Sequence, residues 1–196
     1  MDFDELGRVL RERPRRSLRR QRAAAVLVPI VDDGGPLRLI LTRRTEGLST
    51  HKGQVAFPGG GIDPGDAGPT TAALREAEEE IGLKAEAVEV LGWLDDFPTI
   101  YGNTIVTPVI GRLRVLPPLR PSPDEVARIF TIPFEILERP TGWRVDVVRR
   151  RDRDWPMIYC DHDGETLWGL SAYITMHLLE FWPQGAPIAI PGELIQ

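Results

Sequence analysis

Only one cysteine, Cys160, is present, so no disulfide can form within the chain, and such cysteine usage suits a reducing cytoplasm. No apolar run approaches the ~20 residues of a membrane-spanning helix, which argues against a membrane protein. Net positive charge is lacking too: 24 Lys and Arg stand against 29 Asp and Glu, for -5 overall, so the chain has no general basic field for nucleic acid. A phosphate-rich ligand must then be met by local basic residues or by a metal. Met1 is followed by no apolar signal segment, and Asp2, Asp4, Glu5 and Glu12 are out of place in a transit peptide, so a cytoplasmic protein is expected.

What is present is an ordinary globular composition, 42% hydrophobic and 27% charged, in 196 residues that are most simply one domain able to bury a core. The stretch RVLRERPRRSLRRQR (8–22) holds most of a positive patch, which divides the chain into an Arg-rich arm or helix at 1–22 and a domain at 23–196. The arm reads either as a solvated helix and linker or as a segment that faces phosphate or a partner. After it, AAAVLVPIV (23–31) reads as a buried strand that DDGGP turns back into LRLILT (37–42), a hairpin. Residues 43–69, rich in Gly and Pro, read as a long ordered loop, and loops of that length inside a compact domain usually carry function.

A helix follows, capped by Thr70 or Thr71 and stopped by Gly82. Strands are expected at 87–94 and 103–116, then a proline-rich connection at 117–125 leading into VARIFTIPFEIL. WRVDVVRR and PMIYC should pair as a late hairpin across RDRDW, and LWGLSAYITMHLLEFW (167–182) should close the chain as a helix. Strands on both sides of a central helix give a mixed α/β class.

The anomaly is REAEEEIG (75–82), where acids stand at 76, 78, 79 and 80 directly before the glycine that ends the helix. Carboxylates at a helix carbonyl end are disfavoured by about 0.3–1 kcal/mol each, and like charges three or four residues apart repel further. At 100° per residue, Ala73, Leu74, Ala77 and Ile81 make a buried stripe, Glu76, Glu79 and Glu80 share an adjoining face, and Glu78 points elsewhere. Three acids on one face suit either a solvated acidic surface or a hard divalent cation, which prefers oxygen ligands. Arg75, four residues before Glu79, is placed to orient that carboxylate.

The surrounding FPGGGIDPGDAGPTTAALREAEEEIGL (57–83) resembles the Nudix box, G-x5-E-x7-R-E-U-x-E-E-x-G-U with U a bulky aliphatic. Arg75, Glu76, Glu79, Glu80, Gly82 and Leu83 match it, and Ala77 takes the first aliphatic place. The early Glu departs: it falls on Ala67 counted from Gly61, or on Asp66 counted from Gly60 with one extra residue before Arg75. Upstream, LTRRTEGLSTHKGQVAFPGG (41–60) resembles the motif of the coenzyme A pyrophosphatase branch, with Leu41, Thr42, Arg44, Gly53 and Phe57 to Gly60 in register. Thr45 replaces its Ser or Ala, and Leu48 with Ser49 stand where it has Arg. VTPVIG, PDEVARIF and LWGLSA are similar to bacterial NudL-type sequences, so the likeness covers nearly all of the chain after the arm.

The resemblance implies an α/β/α sandwich with a mixed sheet and a loop–helix–loop box, and metal-dependent hydrolysis of the pyrophosphate bond of coenzyme A or its derivatives. It implies Mg2+ or Mn2+ on Glu76 and Glu80, with Glu79 as a third ligand or a base, and Glu125 as the general base, ahead of Asp124. Glu125 would equally suit the first turn of a short helix. Arg43, Arg44, His51, Lys52 and Gln54 would grip phosphate, or else brace their own loop, and Gly59 and Gly60 permit close backbone approach. The expected partner is a small nucleotide, with neither nucleic acid nor membrane, and a homodimer is compatible with the family. Hydrolysis of another nucleoside diphosphate derivative, and a nucleotide-sensing domain without catalysis, are the alternatives.

Overall fold

The computed structural model describes residues 2–19, 22–47, 52–99, 103–150, 153–183 and 185–188. Strand β1 (Arg22–Val31) is the axis of the main sheet, and its side chains divide between the two faces with the period of two that a strand imposes. Ala25, Leu27 and Val31 join one core cluster, Val28 and Ile30 the other. The hairpin reading holds: β2 (Arg38–Arg44) returns antiparallel through a turn in which Gly34 takes φ 89°, a left-handed value that Gly adopts without steric cost. On its other side β1 runs parallel to β7 (Thr104–Leu113) over its whole length, from Arg22↔Thr104 to Val31↔Leu113.

The β1 and β2 strands are paired only at Ile30↔Leu39 and Val31↔Arg38, and beyond that the sheet forks. Two short strands fill the fork, β3 (Val55–Ala56) on β2 and β4 (Gly59–Gly61) on β1. Part of the long Gly-rich loop is therefore woven into the sheet, since its backbone there needs partners for its N–H and C=O groups. The sheet is completed by β5 (Glu89–Trp93) and β6 (Phe97–Pro98) on β7, and by β8 (Val126–Pro133) on β2.

Helix α2 (Pro69–Ile81) covers one face, setting Ala72, Ala73, Ala77 and Ile81 against Ala25, Leu27, Val31, Ile40, Val109 and Leu113. Its small alanines let helix and sheet approach closely, while fully buried Ile81 contributes about 2 kcal/mol of apolar burial. The helix starts earlier than expected, with Gly68 as N-cap and Pro69 as first residue, because Pro has the right φ and no N–H to leave unpaired.

The other face is covered by α1 (Phe3–Glu12), by α4 (Gly169–Leu179), and by a three-stranded sheet of β9 (Arg144–Arg150), β10 (Arg153–His162) and β11 (Glu165–Trp168). A short helix, α3 (Phe134–Leu137), precedes β9. The expected mixed α/β layering is what the structure has. Two sequence expectations are corrected here. Residues 165–168 are strand, with the helix starting at Gly169, and pairing of Arg150 with Arg153 makes Asp154 and Trp155 strand rather than turn.

Within residues 2–19, helix α1 is docked on the core rather than solvated. Asp2 caps α1 by accepting from the Asp4 N–H at 2.9 Å, and Phe3, Leu6 and Leu10 are buried in the main core. Gly92 makes room for that docking, because a Cβ there would lie 2.7 Å from Leu10 Cβ. Among the described residues, no helix is long and apolar enough to cross a membrane.

Candidate active site

The α2 acids do not behave as one set. Glu78 pairs with Lys84 at the surface, as its position off the shared face predicts. Glu80 is buried, with 2% of its surface exposed, and sits against the fork: Gly59 N–H donates to Oε2 at 3.3 Å and Arg44 Nη1 to Oε1 at 3.4 Å. Both contacts are long and do not offset desolvation. Burial pushes the Glu80 carboxyl up to about 7, with Glu125 and Glu76 adding repulsion while Arg44 and the Gly59 N–H oppose the shift. Glu76 is also raised, first by burial and then by Glu79 and Glu125, against the pull of Arg75.

The glycines explain how two carboxylates fit here. A Cβ on Gly60 would lie 2.3 Å from Glu76 Oε1, and one on Gly59 would lie 2.3 Å from the Ala25 carbonyl. Gly60 thus leaves space for the Glu76 carboxylate, while Gly59 lets β4 approach the β1 backbone closely.

Arg75 organises the loop before the helix. Its Nη1 lies 3.1 Å from both Glu76 Oε1 and Glu79 Oε2, and its Nη2 donates to the Gly61 carbonyl at 3.1 Å and to Asp66 Oδ2 at 3.2 Å. The expected Arg75–Glu79 contact is present, but it leaves Glu79 on the surface, its side chain 58% exposed. Asp66, with only 4% of its side chain exposed, is held below the usual carboxylate range by the Arg75 hydrogen bond. Asp66, where the early acid of the box falls when counted from Gly60, thus braces Arg75.

Glu125 reaches the site through the C-terminus of α2. Arg120 and Ser122 donate their N–H groups to the Ile81 and Glu80 carbonyls at 3.0 and 2.8 Å, which satisfies helix-end acceptors that would otherwise lack partners. Glu125 follows in a turn closed onto the Ser122 carbonyl, where its charge raises both Glu76 and Glu80. No helix starts at Glu125: β8 begins at Val126. Asp124 is exposed beside it, its carbonyl accepting from Thr45 Oγ1 at 3.0 Å.

The basic residues separate. Neighbours on β2 serve opposite layers, since Arg44 reaches Glu80 whereas Arg43 pairs with Glu165 of β11 at 3.1 Å. Glu165 also takes Arg128 at 3.1 Å, so Arg43 pairs with a half-buried acid of β11 rather than with the α2 carboxylates; nothing in the spacing pointed to Glu165. Lys52 is exposed, Gln54 accepts from the Arg44 N–H through its carbonyl at 3.0 Å, and His51 lies outside the described residues.

Among the described residues, no three His, Cys, Asp or Glu side chains converge into a cage that could hold a metal alone. The donor chemistry nevertheless fits a hard cation. Glu76 and Glu80 are neighbouring carboxylates, partly and almost wholly buried, whose repulsion a cation would relieve, and Mg2+ commonly takes one or two carboxylates plus waters and substrate phosphates.

Comparison with known proteins agrees with this geometry. Residues 20–151 match the NUDIX domain model, a span that contains all the acids above. Over 180 residues, the chain is 41% identical to an Escherichia coli protein named Uncharacterized Nudix hydrolase NudL, covering 90% of this chain and 91% of that one. The same name and coverage apply to a Klebsiella pneumoniae relative at 40% identity. A MutT/nudix family protein from Enterococcus faecalis shares the fold with a TM-score of 0.50 at 16% identity, over 87% of this chain and 63% of the other. The Nudix hydrolase RenU of M. smegmatis matches at a TM-score of 0.49 and 26% identity, over 58% and 71%. A matched domain that spans the whole carboxylate site, with relatives covering most of the chain, shows that this protein belongs to the Nudix hydrolase family.

Proposed function

We propose that this enzyme hydrolyses the pyrophosphate bond of coenzyme A, its thioesters or its oxidised form, giving adenosine 3′,5′-bisphosphate and 4′-phosphopantetheine or its derivative, with Mg2+ or Mn2+ as cofactor. Nudix hydrolases generally use divalent metal ions and act on small nucleotide derivatives, which supports the reaction class. The observation that carries the reading is Glu80, a carboxylate buried against a glycine strand and repelled by Glu76 and Glu125. Such a group is costly unless a cation joins it. The substrate rests on the resemblance of residues 41–60 to the coenzyme A-directed motif. The single buried thiol is compatible with a cytoplasmic location.

Glu76 and Glu80 would hold the cation, which when bound would neutralise phosphate charge and acidify water. Glu80 is held by Gly59 and Arg44, so its oxygens need little rearrangement as charge develops. The attacking water forms a new O–P bond while the bridging P–O bond breaks and the other phosphate leaves. Glu125 takes the proton from that water. Glu79 keeps Arg75 in place and is the second candidate for the base. Arg44 stands beside Glu80, where it meets substrate phosphate.

Incubating the protein with coenzyme A, ADP-ribose, NADH and nucleoside triphosphates, each with Mg2+ or Mn2+, tests this by product mass. The expected products come from coenzyme A. Turnover of another compound with coenzyme A untouched overturns the substrate assignment, and binding without hydrolysis of any overturns the catalytic one.

A further inference from the structure

A cleft of about 390 Å³ lies between the segment after α1 and the start of α2, within the usual size of small-ligand sites. It is lined by Arg15, Arg19 and Arg22, by apolar Leu18, Ile62 and Ile105, and by Pro69, the first residue of α2. Its charges do not cancel. The buried Asp96 carboxylate accepts from Arg15, from Thr107 Oγ1 at 2.6 Å and from the Leu18 N–H at 2.8 Å, so Asp96 and Arg15 neutralise one another. Arg19 and Arg22 are exposed and have no ion pair or side-chain hydrogen bond among the described residues. Two guanidinium groups without an acidic partner among the described residues thus stand over a partly apolar cleft in a protein of net charge -5.

The backbone on either side of them is held, since the Arg22 N–H donates to the Asn103 carbonyl at 3.1 Å and residues 13–18 are tied to the sheet. Asp95 Oδ1 takes Arg13 Nη1 at 2.6 Å and the Arg16 N–H at 3.1 Å, and the Asp96 N–H donates to the Arg16 carbonyl at 3.0 Å. Residues 13–18 are thereby strapped onto the sheet, which reduces the ordering cost of binding beside them. Two of its lining residues, Ile62 and Pro69, stand close along the chain to the carboxylate site. Ile62 donates its N–H to the Ala23 carbonyl at 3.0 Å and lies just past the end of β4, two residues from Gly60, which underlies Glu76, at most roughly 7 Å along the chain at 3.3 Å per residue. Pro69 precedes Glu76 by seven residues, about 10 Å along the helix.

We infer that Arg19 and Arg22 form a second phosphate subsite, which receives a phosphate monoester one sugar away from the pyrophosphate being cut. This rests on the proposed function for the position of the pyrophosphate. The subsite would make the enzyme prefer a nucleotide with a phosphate on its ribose over the same nucleotide without one. Paired guanidinium donors suit a dianionic monoester, and Leu18, Ile62 and Ile105 offer apolar surface beside it.

The test has two arms. In the first, binding of adenosine 3′,5′-bisphosphate and of 5′-AMP is measured by calorimetry on the wild type, on R19A/R22A and on R19K/R22K. The wild type should bind the bisphosphate about tenfold tighter or more, R19A/R22A should bind both alike, and R19K/R22K should keep part of the preference. In the second, kcat/KM is compared for coenzyme A and its 3′-dephospho form, and the ratio should fall toward one in R19A/R22A through KM rather than kcat. Equal binding of the two nucleotides by the wild type, or a preference that R19A/R22A retains, overturns the subsite. If neither coenzyme form is hydrolysed but the binding preference depends on the arginines, the subsite stands and the substrate assignment falls.

Discussion

Replacing Glu80 by Gln removes the charge but keeps the shape and an acceptor for the Gly59 N–H, which isolates the electrostatics of the buried carboxylate. In the folded protein this group titrates at about 7 rather than at the ordinary 4.5, mainly because burial disfavours its charged form. Between these values the folded state binds more protons than the unfolded one, so stability falls as pH rises across the window. At about 1.4 kcal/mol per pKa unit, the loss is on the order of 3 kcal/mol once pH exceeds 7. Urea unfolding in a chelator, from pH 4.5 to 8, should therefore show the wild type losing stability relative to Glu80→Gln as pH climbs, with the difference levelling above 7. Adding Mg2+ or Mn2+ at pH 8 should restore wild-type stability and leave the variant unmoved, because ligation favours the ionised carboxylate. A difference between the two proteins that is flat from pH 4.5 to 8 refutes the reasoning.

Four further outcomes are expected. Glu125→Gln should lower kcat by 10²–10⁴-fold with little change in KM, read from steady-state kinetics, as loss of a general base does; an unchanged kcat would move that role to Glu79. Gly60→Ala puts a methyl group on the Glu76 carboxylate and should weaken Mn2+ binding by tenfold or more while circular dichroism still reports a folded protein. Asp66→Ala deprives Arg75 of its bidentate partner and should cost about 10- to 100-fold in activity, as lost support of a metal ligand does. Leu6→Ala should cost about 2–5 kcal/mol in urea unfolding because Leu6 is a core residue, whereas a solvated arm would tolerate it.

The strongest periodic signals are legible in the sequence. The central strand, the hairpin after it and the box helix follow from apolar alternation, a Gly-rich turn and a buried stripe, all local properties. The division of labour among the acids was only partly legible. Helical spacing separated Glu78 from the rest, but could not show that Glu80 is buried under Gly59 while Glu79 faces outward on Arg75. Those differences come from the fork between β1 and β2 and from the loop docked on the end of α2, which are tertiary pairings without a local code. The N-terminal segment misled for a related reason: its arginines are conspicuous, whereas Phe3, Leu6 and Leu10 at helical spacing are the residues that dock it. Arg43 was grouped with Arg44 by adjacency, yet neighbours on a strand point to different layers, and Glu165 claims it from 122 positions along the chain, at the far end of the sequence.

The most direct measurement is Mn2+ binding, followed by electron paramagnetic resonance as free ion is consumed, for the wild type, Glu76→Gln and Glu80→Gln at pH 8. The wild type should take up the ion and each variant should bind it at least tenfold more weakly. Equal uptake by all three proteins would contradict a cation held by this pair of carboxylates.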